Sequence, residues 1–451
     1  AYGRFAKAFS MAHGDRLKLT EGDAFLVYIE VYGYDNVKGQ TEREMYRALM
    51  RIWEEIQLAN RGNKIELIQD PQEVEEDKKP AILKWFLPQE EIPSGLKVGF
   101  IYGRTAETSR WIYGHELGRM YLEQAFPGKL TTMVVDQADT EEAVAEAIEK
   151  EAKAGCTIIF TITSRMLGQS VRSAALYPDI KFYNCSINMS YSSVSNYYAR
   201  MYEAKFLTGA IAAAMSRCDD LGYIADYPVY GNIANINAFA LGARMVNPRV
   251  KVSLQWSCLP GDPIQAFQKQ GITVISGRDT PTPFRPAREF GTFRISPGGT
   301  LMDLASPFWH WGQFYENVVR TVLDGGWTRD KSGTDGTAVN YWWGMNSGVM
   351  DVLLSRELPH DVRHLANILR SGIIAGSIDP FACYITAQNG TVMNEGRTGF
   401  TPEQILHMDW LCDAVEGHLP EFDELMDCAR PMYRMQGIHR DRLPAEKEAD
   451  L

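Results

Sequence analysis

The sequence predicts an α/β protein of two lobes, each a doubly wound parallel sheet, joined by a hinge and preceded by a small N-terminal α+β extension. Three observations carry this. From Leu96 onward, short apolar runs of β type alternate with helical patterns, the rhythm of βαβ units. The alternation restarts at Leu221 after a long segment rich in Ala and Gly, so two α/β sets follow one another. Residues 1–95 keep a different rhythm, and 451 residues are too many for one compact core.

In the N-terminal extension, a helical start at Phe5 to Ala12 precedes an apolar, aromatic run from Ala24 to Tyr34. An amphipathic helix is expected over Thr41 to Asn60, with Thr41 as cap and Glu44 three residues on. A short strand, Lys64–Gln69, and a charged run from Gln72 to Lys79, read as solvated loop or linker, lead to Pro80. Residues 1–95 hold 13 Lys and Arg against 17 Asp and Glu, which is not the balance of a DNA-binding arm. They carry no catalytic motif and read as an extension or interaction module.

The first lobe is expected over about 96–218. Its opening unit, 97–121, is organised as strand (Val98 to Tyr102), Gly103, polar loop, and a helix beginning near Trp111. Then follow strand Leu130–Val135, helix Thr140–Ala154, strand Thr157–Ile162, helix Ser170–Leu176, strand Ile180–Cys185 and a long helix from Tyr198 to Met215. The second lobe, about 219–305, opens with strand Leu221–Ala225, loop Asp226–Ile233 and helix Ala234–Val246. Strand Lys251–Trp256, a helix after Asp262 and strands Thr273–Ser276 and Thr292–Ile295 complete it. Later segments are shared between the lobes, and 426–451 is expected to be a C-terminal tail.

Composition bounds the function. An apolar fraction of 45% with 23% charged residues is that of a soluble globular chain, and no apolar run reaches a membrane-spanning length. A formal net charge of −11 argues against a nucleic-acid partner. The seven cysteines are scattered without Cys-x-x-Cys spacing, which suits buried thiols better than a disulfide framework or a zinc site, and leans towards a reducing compartment. The sequence has no phosphate-cradling Gly-x-x-x-x-Gly-Lys loop, no His-Glu-x-x-His and no Gly-x-Ser-x-Gly elbow. No catalytic residue, metal or cofactor is expected.

Open α/β sheets bind ligands at the carboxyl ends of their strands, and the loop after Tyr102 brings Trp111 there, an indole able to cover a flat ring. Trp111, Tyr113, His115, Gly118 and Arg119 form a Trp-x-Tyr-x-His-x-x-Gly-Arg pattern that resembles the basic membrane protein family, the substrate-binding proteins of bacterial ABC importers related to purine nucleoside receptors. The blocks from Tyr198, Leu221 and Ile236, then Ser306–Gly312, Tyr341–Gly344 and the run from Asp409, resemble successive blocks of that family. The resemblance covers roughly 96–425.

The resemblance implies a periplasmic-binding-protein type I fold closing on a purine-like small molecule, an ABC permease as partner, and contact with the membrane only through that permease or a lipid anchor. It places the chain outside the cytoplasm; a cytoplasmic sensor, using the same cleft with residues 1–95 as partner module, is the alternative. The ligand-binding residues expected are Trp111 and Tyr113, Thr163 and Ser164 after a first-lobe strand, Tyr227 in the first loop of the second lobe, and Gly277 and Asp279 after a second-lobe strand. Tyr230 and Arg278 neighbour them. One departure stands out: where the family places a ligand-contacting aspartate, this chain has Ser296, Pro297, Gly298 and Gly299. Trp309, His310, Trp311 and His115 are expected to pack rather than to bind.

Overall fold

The computed structural model describes residues 67–68, 95–107, 109–185, 194–278, 291–296, 298–321, 340–439 and 442. The helices and the apolar run expected within 1–66, and the 72–79 run, lie outside these. The chain divides into two compact units, Ala1–Tyr198 with Trp311–Trp342, and Ala199–His310 with Trp343–Leu451. It therefore passes between units three times.

In the first unit, strand β1 (Leu67–Ile68) is the described part of the expected Lys64–Gln69 strand. Strands β2 (Leu96–Ile101), β3 (Leu130–Val135), β4 (Ile158–Thr161), β5 (Lys181–Cys185) and β6 (Val194–Ala199) pair in parallel in the order β3-β2-β4-β5-β6. The far edge is completed by β12 (Asn340–Trp343), with β1 in parallel outside it. β4 is buried throughout, as are the last four residues of β2, which is why both read as continuous apolar runs.

Helix α1 (Arg110–Ala125) starts on Ser109, whose side chain accepts from the Ile112 N–H. Helix α2 (Glu141–Lys153) is capped by Thr140, with two glutamates in its first turn and lysines in its last, as the helix dipole favours. Helix α3 (Leu167–Leu176) follows a 3-10 turn at Ser164–Met166. Helix α7 (Trp311–Thr321) packs on α1, and a side chain at Gly118 would collide with Trp311 and the backbone of Gly312. The glycine of the Trp-x-Tyr-x-His-x-x-Gly-Arg pattern is thus explained by close helix packing. Its arginine, Arg119, pairs with Glu116 at 2.6 Å and Glu123 at 3.1 Å on the same helix.

The expected helix start at Tyr198 is corrected. Residues 194–199 form β6, with Val194, Asn196 and Tyr197 buried, and helix α4 (Met201–Met215) begins only after Arg200. Val194 and the adjacent tyrosines Tyr197 and Tyr198 favour a strand, and this wins over the helical pattern that follows. The lobe boundary moves too, since α4 lies in the second unit and not, as a boundary at 218 implies, in the first. It packs lengthwise on α5 (Asn232–Val246), where a Cβ on Gly209 would collide with the Phe239 carbonyl and one on Gly242 with the Phe206 carbonyl. Two glycines let two backbones touch.

The second unit is built on β7 (Asp220–Ala225), β8 (Lys251–Trp256), β9 (Val274–Ser276), β10 (Thr292–Ile295), β11 (Leu301–Trp309), β13 (Met350–Leu354) and β14 (Val415–Glu416). The order is β13-β11-β10-β9-β7-β8-β14. β9, β7, β8 and β14 run parallel, as expected of a doubly wound sheet, whereas β10, β11 and β13 pair in antiparallel fashion. The turn between β10 and β11 is too short for a crossover, so the two strands form a hairpin. Helix α6 (Pro263–Lys269) is capped by Asp262.

Residues 426–439 are not a tail. Helix α8 (Arg430–Gln436) buries Tyr433, Gly437 bridges to Val229, and the Ile438 N–H donates to Pro228 at 3.2 Å, clasping the loop after β7. Among the described residues no helix is long and apolar enough to cross a membrane.

Candidate functional site

The parallel register brings the carboxyl ends of β2, β4, β5 and β6 to one edge of the first sheet. Trp111, on the first turn of α1, reaches this edge. Its indole N–H donates to the Ile162 carbonyl at 2.9 Å, in the bend just past β4. Thr163 and Ser164 follow in the same bend, half-buried, and their hydroxyls bond to no described residue. Asn184 of β5 holds the bend from below, its amide donating to Thr161 and, at 2.9 Å, to the Thr163 carbonyl.

Tyr198, near the end of β6, faces Trp111 with ring centroids 6.4 Å apart and planes 29° from parallel. Both rings are half-buried. Behind Trp111, His115 meets it edge-on at 4.8 Å and stacks flat on Trp311 at 4.6 Å and 12°. The His115 Nδ1 lies 2.5 Å from the Tyr315 hydroxyl, and burial holds the imidazole well below its ordinary pKa, so it is neutral. The expected packing role for His115 and Trp311 is what the geometry gives. Tyr113 is not brought to this edge: two residues on, it lies about 200° round the helix from Trp111 and is 52% exposed.

In the second unit the same kind of edge lies beyond β7 and β9. Asp226, the first residue after β7, is buried; it accepts from Ser257 at 3.1 Å and from the Arg278 Nε at 2.8 Å. Tyr227 follows it half-buried, its phenol pushed up by burial and by the neighbouring Asp226 carboxylate. Gly277 is buried, with its N–H engaged by the Gly291 carbonyl at 2.6 Å, and so has no amide left for a ligand. Tyr230 is packed edge-on against His407. Asp279 lies outside the described residues.

The departure at Ser296–Gly299 falls elsewhere. Because β10 is antiparallel to β9, its carboxyl end sits at the amino end of β9, where the Ile295 N–H donates to Thr273. Gly299 is the left-handed residue of the hairpin turn, with φ of 80°, and its N–H donates to the Ser296 carbonyl. Ser296, Gly298 and Gly299 lie at the opposite end of the sheet from Asp226 and Arg278. The Gly299 amide is taken up within the turn by the Ser296 carbonyl.

Sequence reasoning missed Tyr198 and Asp226. The β-favouring valine and tyrosines of Val194–Ala199 were the signal for the first, and an acid immediately after an apolar strand the signal for the second.

Two α/β units with ligand-type edges at strand ends define the class, the periplasmic-binding-protein type I fold of solute-binding proteins. Residues 96–262 match the Bmp family, described as ABC transporter substrate-binding protein PnrA-like. A purine-binding protein of Brucella abortus is 29% identical over 339 residues, covering 72% of this chain and 94% of the relative. A Haloferax volcanii protein, named provisionally as an ABC transporter glucose-binding protein, is 27% identical over 53% of this chain and 62% of its own length. Among solved structures, a transcriptional activator of the comK gene from Bacillus halodurans shares the fold, with a TM-score of 0.50 and 18% identity over 63% of this chain and 99% of that one.

Proposed function

We propose that this chain is the substrate-binding component of an ABC importer, acting outside the cytoplasm, with a flat heteroaromatic solute of the purine class as its ligand. The observation that carries the ligand class is the facing pair Trp111 and Tyr198. A ring held between two others needs about 7 Å, twice the ~3.5 Å of optimal carbon contact, and the pair stands at 6.4 Å. Parting by roughly half an ångström admits an aromatic ring. The hydroxyls of Thr163 and Ser164 beside it, which bond to no described residue, supply hydrogen bonds that a purine edge can take up. The purine-binding name of the Brucella relative points the same way. The family description favours import over intracellular sensing.

The function on this reading is capture and release: stacking and desolvation supply affinity, and the hydroxyls set orientation. A thermal-shift series on the full chain, with purine bases, nucleosides and glucose, tests it. A purine at about 100 times its dissociation constant should stabilise the fold by about 2.7 kcal/mol. Stabilisation by glucose with none by any purine overturns the ligand class.

A further inference from the structure

We propose that Cys258 and Cys428 are a disulfide-forming pair, a covalent staple that fastens residues 426–439 to the sheet of the second unit. The inference stands apart from the purine reading. Cys258 lies in the turn after β8, closed by the Leu259 N–H donating to the Trp256 carbonyl at 3.3 Å. Cys428 lies in the turn before α8, closed by the Ala429 N–H donating to the Met426 carbonyl at 2.8 Å. These two turns are bonded to each other, for the Met426 N–H donates to the Cys258 carbonyl at 3.0 Å. A disulfide spans Cα atoms about 4.4–6.8 Å apart, the scale of such a contact between turns. Both thiols are free, with Cys258 buried and Cys428 exposed. They also lie within reach of each other's charge. Burial pushes the Cys258 thiol up to about 12; Asp226 and a Cys428 thiolate add to the rise and Arg278 opposes it.

Exposure and burial divide the chemistry. Cys428 meets a disulfide oxidant such as oxidised glutathione first: its thiolate attacks one sulfur, forms a mixed disulfide and releases one reduced thiol. The charge that Cys428 set against Cys258 is then gone, while Arg278 still favours the Cys258 thiolate. That thiolate attacks the Cys428 sulfur, closes the protein disulfide and expels the second reduced thiol, which takes up the Cys258 proton. Two cysteine thiols are oxidised and one disulfide is reduced to two thiols. The proposed location outside the cytoplasm is one where such a bond persists. Beyond α8, the segment is already clasped at Gly437 and Ile438 by Val229 and Pro228. The staple holds it before α8 as well, and a cross-link that closes so long a stretch of chain stabilises the fold.

The test uses the full chain carrying Cys218→Ser, which removes the other exposed thiol. It is incubated with oxidised glutathione, unfolded, alkylated and weighed by mass spectrometry before and after digestion. The protein should stay a monomer, lose two alkylatable thiols, carry no glutathione and yield joined peptides containing Cys258 and Cys428. Its thermal midpoint should rise by several degrees and fall back with dithiothreitol. Adding Cys258→Ser should stop the reaction at a glutathione adduct on Cys428. Adding Cys428→Ser, a change at an exposed position, should abolish both the cross-link and the rise in midpoint. A lasting glutathione adduct on Cys428 with Cys258 still alkylated would show that the two sulfurs do not meet, and overturns the staple. A Cys428 bridge between two chains, or a Cys428 that stays reduced, overturns it too.

Discussion

The indole N–H of Trp111 donates to the Ile162 carbonyl, tying the first turn of α1 to the bend beyond β4. One bond thus fixes the plane of the ring that faces Tyr198. Replacing Trp111 with Ala removes both the stacking face and its anchor, and purine affinity should fall by about 1–3 kcal/mol, the worth of one base stacked on an aromatic. Trp111→Phe keeps a face but loses the anchor and should fall between. Calorimetry against a purine that binds the native chain measures both; native affinity in Trp111→Ala removes this residue from the site.

Helices α4 and α5 touch backbone to backbone at Gly209 and Gly242. Alanine at either position gains about 1 kcal/mol in helix propensity, yet its methyl must displace the facing carbonyl. Overpacking should win, with a net loss of about 1–3 kcal/mol in urea denaturation. The double variant should be non-additive, because relief at one glycine opens the same crossing for the other.

Much of the fold was legible because strand and helix alternate with their own periods, and the strands at 130–135, 251–256 and 292–295 fall where the sequence puts them. Strand direction was not. Whether β10 runs with or against β9 depends on its connections, and that alone decides which end of the sheet carries Ser296–Gly299. Trp111 could be found from its place after a strand, but its facing partner Tyr198 arrives from far along the chain through sheet order. Tyr113 shares the motif with Trp111 and not its helix face, a distinction a linear pattern does not carry. Gly277 could be placed near the edge of the sheet from sequence, but the use of its N–H by Gly291 depends on the register.

Glu151 is buried on α2 with its carboxyl against Gly99, and neither oxygen has a full hydrogen bond among the described residues. Burial pushes its pKa from 4.5 up to about 8, against smaller opposing pulls from the Phe100 backbone and Lys150. The raised value means the folded state keeps a proton that the unfolded chain releases. Its contribution to stability is whole below pH 4.5 and is lost at about 1.4 kcal/mol per pH unit up to pH 8. Glu151→Gln should therefore be more stable than the native chain at pH 9, and the gap should close at pH 4. Equal stability at both pH values would show that Glu151 is solvated.

His115 works in the opposite direction. Buried between Trp111 and Trp311, it stays neutral far below its ordinary pKa of 6.5, whereas the unfolded chain takes up a proton. A depressed value gives stability that is present above pH 6.5 and lost as pH falls below it. Below pH 6.5 this loss runs against the gain from Glu151, so the native chain should vary less with pH there than either single variant. Glu151→Gln should uncover the acid-side loss due to His115. His115→Phe, which keeps a flat ring on Trp311 at the cost of the bond to Tyr315, should leave a profile that still rises towards acid. Denaturant midpoints at half-unit pH steps for the three proteins would separate the two groups, and a flat profile in both variants would assign the pH dependence elsewhere.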